Sequence, residues 1–177
     1  MRRVPFSSEN VIIADLALHH TDIENSLRNY FNANASSFPA RFAGYSDSEL
    51  TAELQTRLAE VDMTSSLTIL SALEAVFRID YLQRCYQKEK DSLSRAFRAL
   101  HRRKASKVDL ENEIFDLWKQ HTDGATKLIS DLKGAFKYRH WLAHGRYWEP
   151  KLGKKYDFFS LYTLAASVLA NFPLFGP

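Results

Sequence analysis

From Ser46 to Cys85 the sequence reads as helix and little else. Ser46 and Glu49 stand at capping-box spacing, where the serine side chain accepts from a backbone N–H and the glutamate reaches back, so a helix starts there. Leu50, Leu54, Leu58 and Val61 then share one stripe, and Leu67, Leu70, Leu73, Phe77, Tyr81 and Cys85 recur every three or four residues. A segment with that pattern is a central helix that buries much of a core, and the rest of the chain has to pack around it. Glycine (6) and proline (5) are scarce, and no Ser-, Gly- or Pro-rich stretch is long enough to link two units. The reading is all-α: one domain over residues 1–177, large enough to bury a core without staples, built as a bundle of about five or six helices.

The other helices follow from the same period. A first one is expected from about Ser8 to Asn32, with Val11, Leu16, Leu18, Ile23, Leu27, Tyr30 and Phe31 on its apolar faces, until "NANASSFPARFAGYSDS" breaks it. A basic stretch extends or follows the central helix. Leu110, Ile114, Leu117 and Trp118 give a short helix ending near "HTDG", where Asp123 is placed to cap the next. That next helix carries Leu128, Leu132 and Phe136 and ends at Gly145, since glycine tolerates the left-handed conformation used past a helix end. "EPKLGKK" is a loop, and "YDFFSLYTLAASVLANF" a closing apolar helix.

A single cysteine, Cys85, leaves no partner for an intramolecular disulfide and no Cys-based zinc site within one chain, which fits a cytoplasmic protein. "MRRVPFSSEN" lacks the apolar core of a secretion signal. The uncharged run over residues 158–177 contains Ser160, Tyr162, Thr163, Ser167, Asn171 and Pro173, which suits a buried helix rather than a bilayer span, so no membrane anchor is expected. Net charge is only +3, but it is uneven. Arg84, Lys88, Lys90, Arg95, Arg98, Arg102, Arg103, Lys104 and Lys107 form one basic stretch, and Lys133, Lys137, Arg139, Arg146, Lys151, Lys154 and Lys155 another, with acidic residues between them. Such stretches attract polyanions such as RNA, or they are ordinary solvated helix faces.

Several standard sites are missing from the sequence: a Gly-rich phosphate loop, HExxH, GxSxG and an EF-hand loop. His140 and His144, at i and i+4, share a helix face but have no evident third metal ligand, so neither a metal nor a cofactor is expected. His19, His20 and His121 read as surface or capping residues.

The densest chemistry lies in "FKYRHWLAHGRYW", residues 136–148. Within it, "RHWLAHG" resembles the R-x4-6-H motif of the HEPN superfamily, all-α domains that include many metal-independent ribonucleases of toxin, phage-defence and RNA-processing systems. A polar residue commonly follows the arginine in that family, as His140 does here, and the motif lies late in the helical bundle. Arg95 and His101 satisfy a looser version of the spacing, but Ala96 follows that arginine. In toxins paired with a nucleotidyltransferase-type antitoxin, a tyrosine often stands two residues after the histidine. Here Arg146 does, with Tyr147 one later.

What the resemblance implies is an RNA-cleaving site built from Arg139, His140 and His144, in a homodimer with two motifs at a shared cleft, and with an antitoxin protein as a further partner. Without metal, the ribose 2′-hydroxyl attacks its own phosphate, leaving a 2′,3′-cyclic phosphate and a 5′-hydroxyl, and DNA resists for want of that group. Histidine suits the proton transfers and arginine holds phosphate oxygens in a bidentate fork. Lys137, Arg146, Lys151, Lys154 and Lys155 are candidates to track the RNA backbone, and Tyr138, Tyr147 and Trp148 to stack an unpaired base or else to pack the core. Trp141 and Leu142 read as core. The alternative is a non-catalytic HEPN-like module that binds RNA or a protein partner.

Overall fold

The computed structural model of the chain describes residues 4–6 and 11–176. Its organising element is helix α2, Asp47–Gln87, 41 residues and therefore roughly 60 Å long. The capping box opens it as the sequence predicts: the Ser46 N–H donates to Glu49 Oε2 at 2.8 Å and the Glu49 N–H to Ser46 Oγ at 3.4 Å. The other helices are α1 (Ile13–Tyr30), α3 (Ser92–Lys104), α4 (Phe115–His121), α5 (Ala125–Ala143) and α6 (Phe158–Asn171). A 3-10 turn, Ala40–Phe42, precedes α2, and a π-helical turn, Leu110–Ile114, leads into α4. Among the described residues the structure is an all-helical bundle without strands, in agreement with the sequence reading. No helix among them is long and apolar enough to cross a membrane.

The C-terminal half of α2 is the axis of the main core. Ile69, Leu70, Leu73 and Phe77 are fully buried, and Phe77 meets Phe115, Trp118 and Phe172 edge to face at 4.9, 6.2 and 5.8 Å. Cys85 lies in this core, where burial pushes its thiol pKa up to about 12. The N-terminal half of α2 is served by a small separate cluster of Phe31, Phe42 and Leu50, with the Arg41 guanidinium 4.1 Å from the Phe42 ring centroid.

Three local expectations are corrected. The start expected for α1 near Ser8 falls outside the described residues, and Val11 and Ile12 precede a helix that begins at Ile13. Leu18 points to solvent, whereas His20 is buried at the seam of α1, α2 and α6. There its ring stacks on Phe158 at 4.0 Å while Nδ1 hydrogen-bonds Ser65 Oγ at 3.0 Å, so both the apolar body and a polar nitrogen are satisfied. Asp123 does not cap α5. Left-handed Gly124 (φ 74°) takes the N-cap position, with no side-chain cap.

Arg84, counted with the basic stretch, is buried instead. It pairs with Asp80 at 2.8 Å and donates to the Pro173 carbonyl at 2.6 Å, while the Phe175 N–H donates to Asp80 Oδ1 at 2.9 Å. This network fastens the segment after α6 to α2. Arg95, Arg98, Arg102, Arg103 and Lys104 of the basic stretch lie on α3, whose N-cap Asp91 accepts from the Ser94 N–H at 2.9 Å.

Candidate functional site at the end of helix α5

Helix α5 closes on a Schellman turn. His144 is the C-cap, Gly145 follows with φ 82°, and the Arg146 N–H donates back to the Trp141 carbonyl at 3.3 Å. Gly145 meets the left-handed requirement without steric cost, as the sequence predicts. Arg146 is left-handed too (φ 58°), and it is held there by a fork onto both oxygens of Glu60 at 2.8 and 3.1 Å. The returning chain is fixed by Trp141 Nε1, which donates to the Trp148 carbonyl at 2.6 Å.

Successive residues of the last two turns face different surroundings. Tyr138 and Leu142 point into the core and Trp141 packs against it from a half-buried position. Tyr138, a sequence candidate for base stacking, is 6% exposed, between Trp141 at 5.7 Å and Tyr156 at 5.5 Å. Both faces of its ring region are occupied by the protein, so it is a core residue. Gly134 makes room for this packing: a Cβ there would lie 2.6 Å from the Tyr156 hydroxyl.

Arg139 faces α2. Its Nη2 lies 2.9 Å from Glu74 Oε2, and the other oxygen of Glu74 holds Arg78 Nε at 2.8 Å, so one carboxylate serves two guanidinium groups. Arg139 Nε is buried and has no hydrogen-bond partner among the described residues. The side chain lines a cavity of about 380 Å3 with Glu74, Arg78, Lys107, Asp109 and Glu111.

His140 is one step further around the helix, on the exposed flank. Its ring centroid lies 4.2 Å from that of His144 and 5.9 Å from Trp148. It lines a second cavity of about 270 Å3 with Glu111, Phe136, Lys137, Trp148 and Lys151. Glu111 and Phe136 belong to the walls of both cavities. The structure therefore brings His140, His144, Trp148, Lys137 and Lys151 together and sets Arg139 around the corner from them. Among the described residues no hydrogen bond or ring contact joins Arg139 to His144.

The remaining candidates divide. Tyr147 is 84% exposed, its ring 4.6 Å from Trp148. Lys155 is exposed, and Lys154 lies 3.8 Å from Asp131 and over the Tyr156 ring. Arg146, expected on the RNA backbone, is already committed to Glu60. The loosely spaced pair Arg95 and His101 separates: Arg95 is exposed, and His101 is buried with Nδ1 3.1 Å from the Tyr81 hydroxyl.

Glu74 and Glu111 border the candidate site without having been singled out by the sequence reading. Glu74 and Arg78 had left a signal as an i,i+4 charge pair inside the apolar central helix. Glu111 is half-buried, and burial raises its pKa above the ordinary glutamate value. Asp109 adds to that rise, while Lys133, Lys137 and His140 offset it. Among the described residues, no group of three or more His, Cys, Asp or Glu side chains is arranged to hold a metal ion. No family model, no curated protein and no solved structure matches the chain.

Proposed function

We propose that this protein is a metal-independent endoribonuclease of the HEPN type, acting as a homodimer in a toxin or phage-defence role, with an antitoxin protein as its natural counterpart. The observation that carries the reading is the paired imidazoles of His140 and His144, 4.2 Å apart on the exposed end of α5, one residue from Arg139. Imidazole exchanges protons near neutral pH, which suits a transesterification that first takes up a proton and then returns one. One imidazole accepts the proton of the ribose 2′-hydroxyl as its oxygen attacks phosphorus. The bond from phosphorus to the 5′-oxygen breaks, and an imidazolium returns a proton to the leaving 5′-oxygen. His144 is assigned the proton transfer and His140 an assisting or positioning role. Arg139 is assigned the neutralisation of charge developing on the phosphate, through its Nη groups.

The test is cleavage of a single-stranded RNA panel in EDTA by wild type, Arg139→Ala and His144→Ala, with analysis of the ends. The expected result is cyclic phosphate from wild type and loss of cleavage in both variants. Equal products from all three proteins would exclude these residues from the chemistry. A second reading has its own support: the guanidinium of Arg139 is already partly neutralised by Glu74. On that reading the chain is a non-catalytic helical module that binds RNA or a protein partner, and wild type leaves RNA intact.

A further inference from the structure

The cavity beside His140 has a composition that the cleavage chemistry does not account for. Proton transfer and phosphate binding call for imidazoles and cations, yet this cavity also has an aromatic and apolar wall, from Phe136, Trp148 and Leu152, and a carboxylate, Glu111. Trp148 is held in place through its backbone carbonyl, which accepts from Trp141 Nε1 at 2.6 Å. Among the described residues no side chain hydrogen-bonds the Glu111 carboxylate, although it is half-buried. The carboxylate, an acceptor-only group, is therefore open to donors from a ligand.

We propose that this cavity is a nucleobase subsite selective for guanine, with Glu111 as the specificity-determining residue and Trp148 as the stacking surface. The inference rests on the ribonuclease reading only for its context, since it concerns binding rather than cleavage. An ionised carboxylate offers two acceptors side by side. Guanine alone among the RNA bases presents two adjacent donors, N1–H and the N2 amino group, on its Watson–Crick edge. Adenine and cytosine pair one donor with an acceptor there, and uracil flanks one donor with two acceptors, so each leaves a carboxylate oxygen opposed by a lone pair. Lysine complements the choice, because the O6 and N7 atoms of guanine are acceptors. Lys137 and Lys151 border the cavity and can meet either those atoms or the attached phosphate. Unpaired bases of single-stranded RNA are read in this way, by stacking on an aromatic ring and hydrogen bonds to the exposed edge. The cavity of about 270 Å3 has room for one base. His140 in the same wall places the bound nucleotide against the proposed proton-transfer groups.

The test is calorimetric titration of the full chain in EDTA with the 3′-monophosphates of guanosine, adenosine, cytidine and uridine, comparing wild type, Glu111→Gln and Trp148→Ala, each checked for helical content. Wild type is expected to bind the guanosine nucleotide about tenfold more tightly than the others, the order of discrimination of one good bidentate contact. Glu111→Gln is expected to abolish that preference while keeping binding, and Trp148→Ala to weaken all four nucleotides together by about tenfold. Equal affinities in wild type, a guanine preference that survives Glu111→Gln, or no binding of any nucleotide would overturn the proposal. Discriminating binding without RNA cleavage would keep the subsite and remove the nuclease, and cleavage without discrimination would do the reverse.

Discussion

Arg84 and Arg139 both leave long helices to meet a carboxylate, and the resemblance ends there. Arg84 is engaged by all three nitrogens: Nε donates to Asp80 at 2.8 Å, Nη1 to Ser94 Oγ at 3.2 Å and Asp91 Oδ2 at 3.5 Å, and Nη2 to the Pro173 carbonyl at 2.6 Å. Its guanidinium also lies 4.4 Å from the Phe175 ring centroid and 5.2 Å from that of Trp118. Among the described residues Arg139 has one ion pair, to a glutamate shared with Arg78, and a buried Nε without a partner at the edge of a cavity. A guanidinium has five N–H donors, and the number met by its own chain separates an arginine that builds the fold from one left to bind something else.

The largest expected effect is at Arg84. Arg84→Ala leaves Asp80 buried without its counter-charge, and a loss of about 3–5 kcal/mol in stability is expected by urea denaturation. Arg139→Ala is expected to do the opposite: cleavage falls by a factor of about 10²–10³, as for loss of one transition-state donor, while stability moves by less than about 1 kcal/mol. If the same melts show Arg139→Ala to be as destabilising as Arg84→Ala, the distinction between the two arginines is lost. A finer probe is Glu74→Gln, which removes the charge that Arg139 shares with Arg78. It is expected to strengthen binding of inorganic phosphate several-fold, at a cost in stability of up to about 1 kcal/mol, in a titration read by the Arg139 resonances.

The smallest effect concerns Glu111. Its folded-state pKa lies above the ordinary 4.5, with burial as the main cause and Asp109 adding to it against Lys133, Lys137 and His140. Ionising it therefore costs stability at pH above the raised value. That cost shrinks as pH falls through the raised value and is gone below the ordinary one. Glu111→Gln is expected to melt slightly higher than wild type at neutral pH, with the two Tm values converging on acidification. A gap that widened in acid would reverse the sign assigned to Glu111.

Much of the fold was legible in the sequence because its signals are local. Ser46 with Glu49, the stripe from Leu67 to Cys85 and the glycine after His144 each depend on neighbours within a turn or two, and each stands in the structure. Asp123 is a local misreading, since the next residue, Gly124, takes the N-cap of α5, but the misreadings that bear on the core and the site are long-range. Spacing places His20 on a face of α1, but only the approach of Phe158 from α6 makes that face interior. Tyr138 sits among charged residues in the sequence and becomes core because Tyr156 returns across it. The same limit applies to the site. "RHWLAHG" marks the end of α5 as chemically dense, yet Glu74, Glu60 and Glu111 come from distant segments, and they decide which cations are free. Arg146 illustrates it: a candidate for the RNA backbone by position, it is taken up by Glu60 at 2.8 Å.

Helix α2 also acts as a ruler. Glu60 and Glu74 lie roughly four turns apart and so on nearly the same side of it, and they grip Arg146 and Arg139 on either side of the α5 terminus. One residue inserted between them would swing one grip by about 100° relative to the other and lengthen the gap by about 1.5 Å. The geometry around His140 and His144 is thus metered by a segment that contributes neither histidine. Length changes within α2 between Glu60 and Glu74 fall on the site, whereas changes in the loop before Ser46 leave the spacing of both grips intact.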